Sequence, residues 1–343
     1  MAIADNERIR GLRLEDVAAR AGVSRATVSR VVNGGARVAE ATRVAVEAAI
    51  EELGYTPNRA ARSLAGRSSD TVALVVSEPS ARLFADPFIA GTIRGAALRL
   101  ARSRYQLVLM MMQDEADHSR VERHLLRSSS DGVLLLSARS DDMLPGMLAD
   151  AGIACVLAGR PPADTSGVGF VDADNEGGAQ QAVAHLLASG RRTVATIAGP
   201  PDMAPGVDRR AGWAKALVAG DLEPYDDLVV ATEFTRDAGV IAARELLSRH
   251  PGLDAIFAAS DLQAVGALDA LRQAGRRVPD DVAVVGFDDS DLARSADPPL
   301  TTVRQPLDEL GTAMAELLLA QLDDADEPHG VVLATRLVVR QSA

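Results

Sequence analysis

From Thr71 onward the chain repeats one pattern: a short apolar run closed by turn residues, then an amphipathic segment. The runs are TVALVVS at 71, YQLVLMM at 105, DGVLLLS at 131 and IACVLAG at 153. A second set follows with TVATIAG at 193, DLVVAT at 227, DAIFAA at 254 and DVAVVGF at 281. Helical periodicity fills the gaps, as at 88–103, 174–189, 208–219 and 260–274. A strand that is apolar on both faces must be covered on both faces, and parallel neighbours need a crossover between them. The alternation therefore predicts parallel sheets clothed in helices. Two similar sets of four runs point to two doubly wound lobes rather than one barrel. In such open sheets a ligand binds beyond the carboxyl ends of the strands, which directs attention to the residues just after each run.

Residues 13–57 follow a different rule, with no strand and three short helices, Leu14–Ala21, Arg25–Asn33 and Thr42–Leu53. In the third, Val46, Ile50 and Leu53 share a face and Gly54 supplies a stop. The stretch LEDVAARAGVSRATVSRVVN (14–33) meets the demands of a helix-turn-helix. Ala18 is small where the helices cross, Gly22 tolerates positive φ in the turn, and Ser24 is an N-cap candidate. Val17, Val23, Val28 and Val31 are spaced to pin the second helix, which leaves Arg25, Ala26, Ser29, Arg30 and Asn33 facing out. An ordinary helical hairpin is the competing reading, and the arginine-rich outer face counts against it. Residues 58–69, NRAARSLAGRSS, have linker composition, with helix propensity over Asn58–Ala65.

Charge separates the same zones. The net charge of −12 argues at first sight against nucleic acid, because cations make phosphate contacts. Residues 1–67, however, hold 11 arginines against eight acidic residues, while the remainder holds 25 basic and 40 acidic residues. Lys215 is the single lysine. One cysteine, Cys155, excludes an intrachain disulfide framework and a multi-cysteine metal site. The five histidines lack metal-ligand spacing, and Asp288, Asp289 and Asp291 lack the glycine and distal glutamate of a calcium loop, so no metal is expected. No GxSxG elbow, GxxxxGK[ST] loop or GxGxxG after a strand is present, which counts against an enzyme and gives no cofactor reading. With no apolar run of the ~18 residues a membrane span needs and no signal-peptide core, the expected location is the cytoplasm.

The chain resembles the LacI/GalR family of transcriptional regulators nearly end to end. The family's opening pattern stands here as Asp16–Ala18, Ala21–Ser24 and Thr27–Asn33, and continues through Thr42–Arg43, Val44, Ala48, Glu52–Tyr55, Pro57–Asn58, Ala61–Arg62 and Leu64. The core pieces are DPFIAGTIRGA (86–96), DNEGGAQQAVAHLLASGRR (174–192), RRAGWAKAL (209–217), DAIFAASDLQAVGAL (254–268), VAVVGFDD (282–289) and PPLTTVRQP (298–306). The fold implied is an all-α helix-turn-helix DNA-binding domain with a hinge helix, then an α/β core of two doubly wound, Rossmann-like and periplasmic-binding-protein-like lobes. The boundaries implied are 1–57 for DNA binding, 58–69 for the hinge and 70–343 for the core. Lobe 1 would take about 70–166 plus 301–328, and lobe 2 about 167–300 plus 329–343, with three crossings between them and a late strand near 331–339.

The resemblance also implies roles. Arg25, Ala26 and Arg30 would face base edges in the major groove, since arginine reads guanine and alanine touches only a thymine methyl. Ser24, Thr27, Ser29, Asn33, Tyr55 and Asn58 would hold phosphates. Leu64, beside Ala61, would wedge into the minor groove; packing as part of a plain linker is the alternative. Ala39 departs from the serine common at the start of the third helix. A paired hinge implies a homodimer on a pseudo-palindromic operator, and the ending LVVRQSA, without a leucine-repeat tail, favours a dimer over a tetramer. Effector contacts fall on Phe84, Phe88, Arg209, Phe234, Ser260 and Asp288, with Asp86, Ser137 and Arg160 lesser candidates from the other strand ends. Arg209 has the alternative of a surface arginine paired with Asp208, Asp288 that of a cap for the next helix, and the phenylalanines that of plain core. Ser260–Asp261 replaces the Asn-Asp of many relatives. The function implied is a repressor controlled by a small molecule, a sugar or sugar derivative, bound between the lobes. An activator or corepressor-dependent regulator, a solute-binding protein without DNA function, and a doubly wound enzyme are the competing readings.

Overall fold

A computed structural model of the chain describes residues 14–32, 38–53, 69–79, 82–83, 86–127, 130–161, 167–323 and 330–343. The chain divides into two units between Ser69 and Asp70. No helix among the described residues is long and apolar enough to cross a membrane.

The first unit holds α1 (Leu14–Ala21), α2 (Arg25–Val32) and α3 (Glu40–Leu53). Its small core is Val17, Ala18, Val28, Val46 and Ala49, with Val23, Val31, Ile50 and Leu53 packed against it. Gly22 has φ +66°, the left-handed turn its lack of a side chain permits. The Val23 N–H closes that turn onto the Ala18 carbonyl at 3.1 Å, and the Thr27 N–H donates to Ser24 Oγ at 3.1 Å, which makes Ser24 the cap of α2. The third helix starts two residues earlier than periodicity suggests. The Ala39 carbonyl accepts its first bonds from Thr42 and Arg43, and alanine offers no side-chain acceptor there. Asn33, Tyr55, Asn58, Ala61 and Leu64, and with them nearly all of the expected hinge, lie outside the described residues.

The second unit contains two six-stranded sheets. The first part of its chain runs β1 (Thr71–Val76), α4 (Pro87–Leu100), β2 (Gln106–Met111), α5 (Glu115–Leu125), β3 (Gly132–Leu136), α6 (Leu144–Asp150), β4 (Ala154–Ala158) and β5 (Gly169–Ala173). Then come α7 (Asn175–Ala188), β6 (Val194–Ala198), α8 (Ala204–Ala219), β7 (Val229–Ala231), α9 (Arg236–Arg249), β8 (Ala255–Ala258), α10 (Asp261–Gln273), β9 (Ala283–Asp288) and α11 (Asp291–Ser295). The last elements are β10 (Thr301–Arg304), α12 (Leu307–Leu322), β11 (Gly330–Leu333) and β12 (Arg336–Val338). The strand orders are β11-β5-β4-β3-β1-β2 and β12-β10-β9-β8-β6-β7, parallel except for β12 against β10. Each sheet reverses its winding beside its first strand, β1 or β6, which opens a crevice at the carboxyl ends. All eight apolar runs are strands.

Lobe membership differs from the sequence reading in three places. Gly169–Ala173 pairs with β4 and belongs to the first sheet, and Thr301–Arg304 pairs with β9 and stays in the second. The late strand is two strands, Gly330–Leu333 in the first sheet and Arg336–Val338 in the second. A four- or five-residue strand carries the same period whichever neighbour it joins, so pairing alone decides its lobe. The three crossings consequently fall after Ala173, after Arg304 and after Leu333. They are tied together: the Asp174 N–H donates to the Leu333 carbonyl at 2.8 Å, and Thr335 Oγ1 donates to the Asp174 carbonyl at 3.0 Å.

After the second crossing α12 returns to pack on α4, and two glycines set how close they come. A Cβ on Gly311 would stand 2.0 Å from the Thr92 carbonyl oxygen, and one on Gly95 would stand 2.1 Å from that of Asp308. Both obstacles are helix backbone, which cannot rotate away. Gly311→Ala should lower core stability by about 1–3 kcal/mol in urea unfolding, whereas an alanine at solvent-facing Gly146 should change it by less than ~1 kcal/mol.

Candidate functional site

The carboxyl ends of the two sheets face each other across a cavity. Asp86, Phe88, Ser137, Arg160, Arg209, Phe234, Ser260 and Asp288 all line it, so strand-end reasoning and matched positions converge on one place. Phe84 lies outside the described residues. The lining also includes Arg82, Asp172, Asn175, Met203, Leu262 and Gln305, which sequence reasoning missed. A signal existed for three of them. Asp172 and Asn175 flank the end of GFVDA, and Gln305 directly follows TTVR, so recognising those segments as strands with ends on the cleft would have found them.

Arg209 occupies the centre. It projects from α8 and is only 4% exposed, which removes the surface-arginine alternative. Its Nε donates to Asn175 Oδ1 at 2.8 Å and its Nη1 donates to the Ala259 carbonyl. The guanidinium lies 3.8 Å from the Phe287 ring centroid and 5.7 Å from that of Phe234. Burial pulls its pKa down from the ordinary range, and Asp288, with Nη1 to Oδ1 at 3.8 Å, pulls it back up.

Asp288 ends β9 with φ +120°, and Ser137, beyond β3, has φ +61°; both are strained positions at the cavity wall. Gln305 Nε2 donates to Asp288 Oδ1 at 2.7 Å, and burial raises this carboxyl well above the usual range despite Arg209. Ser290, not Asp288, stands at the N-cap of α11. Beneath the wall, Asp261 accepts from Thr302 Oγ1 at 2.6 Å and from the Ser290 N–H at 2.8 Å; burial lifts it to about 6 against those bonds. Asp86 caps α4 through the Phe88 N–H at 2.9 Å, and burial raises its pKa, with Arg82 opposing. Ser260 caps α10 through the Gln263 N–H at 3.2 Å. Among the described residues no group of three or more His, Cys, Asp and Glu is placed to hold a metal ion.

Asp172 gives a pH signature. Its Oδ1 accepts from the Ala173 N–H and from Asn175 Nδ2, and burial pushes its pKa to about 6. The unfolded carboxyl titrates near 3.8, so the folded chain holds the extra proton between these values and loses stability as pH rises through that window. Asp172→Asn keeps the acceptor and cannot ionise. It should match the parent below pH 4 and exceed it at pH 7.5 by up to about 3 kcal/mol, read from urea unfolding at the two pH values. An equal difference at both would refute the burial cause.

Ion pairs lace the two lobes together around the cavity. Arg82 of the first lobe reaches Glu233 of the second at 3.3 Å, Arg139 reaches Asp202 at 2.6 Å and Glu233 at 3.3 Å, and Arg160 pairs with Asp208. The Ser140 N–H also donates to the Asp202 carbonyl at 2.8 Å. In each pair the cation belongs to the first lobe and the anion to the second. Half-exposed pairs contribute only about 0–1 kcal/mol apiece, so they bias closure rather than fix it. The double variant Asp202→Asn, Glu233→Gln should enlarge the radius of gyration of the sugar-free chain and speed exchange of the Ser140 amide; unchanged scattering and exchange would show that the pairs do not hold the lobes.

In the first unit, α2 presents Arg25, Ala26 and Arg30 to solvent, with Ser29 half-buried and Thr27 bonded to Ser24 at 2.9 Å between hydroxyls. Arg25 pairs with Glu15 across the turn at 3.0 Å, an exposed contact that a phosphate or base can replace.

Residues 13–58 match the family model for bacterial regulatory proteins of the lacI family, and residues 183–343 match that for a periplasmic binding protein-like domain. The HTH-type transcriptional regulator CelR of Thermobifida fusca is 51% identical over 338 residues, covering 98% of this chain and 99% of its own length. The chain belongs to the LacI family. The ribose operon repressor of Escherichia coli K12 is 34% identical over 90% of this chain and 92% of its own. Among solved structures, a CelR–cellobiose complex covers 97% of this chain and 100% of its own, with 49% identity and a TM-score of 0.79. A lac repressor dimer bound to operator and the anti-inducer ONPF covers 97% and 99%, with 28% identity and a TM-score of 0.83. This LacI-family chain is a DNA-binding transcriptional regulator with an effector-binding core, not an enzyme.

Proposed function

We propose that the chain is a cytoplasmic, homodimeric repressor released from a pseudo-palindromic operator by a neutral glucose disaccharide of the cellobiose type, held by the cleft residues around Arg209. The observation that carries this reading is the composition of the cavity. A buried guanidinium, three carboxylates and two carboxamides surround a space that Phe88 and Phe234 also line. Carboxylates accept from paired hydroxyls, guanidinium and amide N–H groups donate to them, and a phenyl face covers the apolar face of a pyranose. Cellobiose is the sugar in the CelR complex, and this chain is 49% identical to that protein throughout.

The DNA half of the proposal rests on Arg25, Ala26 and Arg30 as base readers, with Ser24, Thr27, Ser29, Asn33, Tyr55 and Asn58 on phosphates and Ala61 and Leu64 at the minor groove. A two-fold dimer then demands two half-sites. The sugar acts only through unequal affinity for operator-competent and released states, and operator must weaken sugar binding by the same factor.

Calorimetric titration of the full chain with cellobiose, paired with fluorescence anisotropy on a palindromic duplex, tests both halves. Asp288→Asn and Arg209→Lys should weaken cellobiose about 10–100-fold while the sugar-free variants retain operator binding. Undiminished sugar affinity in both variants, or operator binding that ignores bound sugar, would overturn the reading.

A further inference from the structure

Asp288 reaches the cavity through a strained turn. It has φ +120°, and Asp289 after it has φ +57°, so two successive residues with side chains occupy ground that favours glycine. An isolated aspartate tolerates the second value, but a strained residue persists only where its surroundings over-determine it. The backbone bonds of the turn are too long for that task. The Gln305 N–H meets the Asp288 carbonyl at 3.4 Å, the Asp289 N–H meets Thr302 Oγ1 at 3.4 Å, and Arg294 Nη1 meets the Asp289 carbonyl at 3.5 Å. Gln305 Nε2 does hold the Asp288 carboxylate at 2.7 Å, but a neutral amide at the tip of a side chain does not fix the peptide units behind it.

The Asp289 side chain does. It is 1% exposed and lies between two guanidinium groups, Arg304 donating to Oδ2 and Arg340 to Oδ1. Such charge-assisted bonds are about twice as strong as neutral ones. Both arms are anchored. Arg304 ends β10, where it pairs in register with Asp288 itself. Arg340, beyond β12, donates from Nη1 to the Leu300 carbonyl at 2.7 Å and from its N–H to Thr301 Oγ1 at 2.9 Å. The residues after it continue the seam, with the Gln341 N–H on the Pro299 carbonyl at 3.0 Å and Ser342 Oγ on the Val284 carbonyl at 2.6 Å. Asp289, Arg304 and Arg340 all stand outside the cavity lining.

We propose that Asp289 is a positioning residue for the effector: clamped by Arg304 and Arg340, it fixes the turn that aims the Asp288 carboxylate into the cleft. It touches no ligand and acts through Asp288 alone. This rests on the reading of Asp288 as an effector contact and extends it to residues outside the cavity. The C-terminal segment thereby becomes part of the sensor, because Arg340 supplies half of the clamp.

A double-mutant cycle separates positioning from mere stabilisation. Titrated with cellobiose, full-chain Asp289→Asn should bind about tenfold more weakly than the parent and Arg340→Gln at least ~threefold more weakly, while Arg340→Lys, which keeps the charge, should recover part of that loss. Asp288→Gly removes the aimed side chain and accepts the left-handed backbone without strain. In that background Asp289→Asn should cost less than about twofold more, because the clamp has nothing left to aim. An equal loss in both backgrounds overturns the proposal, as does undiminished affinity in the single variant. Thermal melts check folding, and if Asp289→Asn does not fold the cycle is run with Arg340→Gln. A cellobiose affinity indifferent to Asp288→Gly, or no binding by the parent, defeats the effector-site reading on its own. Whether the clamp fixes the turn is then decided in the sugar-free chain. Hydrogen exchange of the Gln305 amide, which bonds the Asp288 carbonyl, should quicken about tenfold in Asp289→Asn, and unchanged exchange overturns the clamp.

Discussion

A guanidinium taken out of water must find its hydrogen bonds and its counter-charge in the protein, and the core is arranged around meeting that demand at Arg209. Its partners are distributed in a telling way. Asn175 opens α7 immediately after the first crossing, and the Ala259 carbonyl ends β8. Asp288 ends β9 and is itself held by Gln305 in the second crossing. One buried charge therefore touches the centre of the second lobe and the first of the three connections, and reaches the second through Asp288. A ligand that rearranges the hydrogen bonds of Arg209 acts on the segments about which the lobes turn, with no relay through distant side chains.

The two sides of the cleft are held by different physics. Where the chain crosses, backbone bonds link Asp174 to Leu333 and Thr335, and these are directional and unaffected by salt. Across the cavity, beside one backbone bond from Ser140 to Asp202, arginine–carboxylate pairs do the holding, and they are screened by ions and weakened by water. Firm crossings with breakable pairs across the gap are what a hinge requires. Because first-lobe cations always meet second-lobe anions, separation costs the same sign of work at every point, and closure stays cooperative across the gap.

Much of this was legible in the sequence, for a physical reason. A strand buried on both faces has to be apolar throughout, so all eight runs announced themselves, and Ala18, Gly22 and Ser24 stand where the crossing, the turn and the cap need them. Lobe membership was not legible at GFVDA, TTVR or the final strands, since a strand of four or five residues has no feature naming its partner. That same gap hid Asp172, Asn175 and Gln305, which become visible only once their strands are known to end on the cleft. Arg82 could not be found at all. It follows no strand directly, and it lines the cavity because Glu78 and Asp86 hold it there.

The charge balance acquires a mechanical meaning from these contacts. The amino-terminal 67 residues carry only three more positive than negative charges, which is little for a protein that must find an operator among competing sites. Non-specific affinity grows with the number of phosphates neutralised, so a weakly basic module gains little from random DNA and depends on placed side chains such as Arg25 and Arg30. The surplus acid of the core is not mere surface decoration either: part of it turns inward. Asp86, Asp172, Asp261 and Asp288 are buried in or beneath the cleft, where their desolvation leaves pKa values raised and the folded core destabilised at neutral pH. Each of them accepts hydrogen bonds from the chain itself, and an effector shifts the balance between states only by contacting these groups more favourably in one state than in the other.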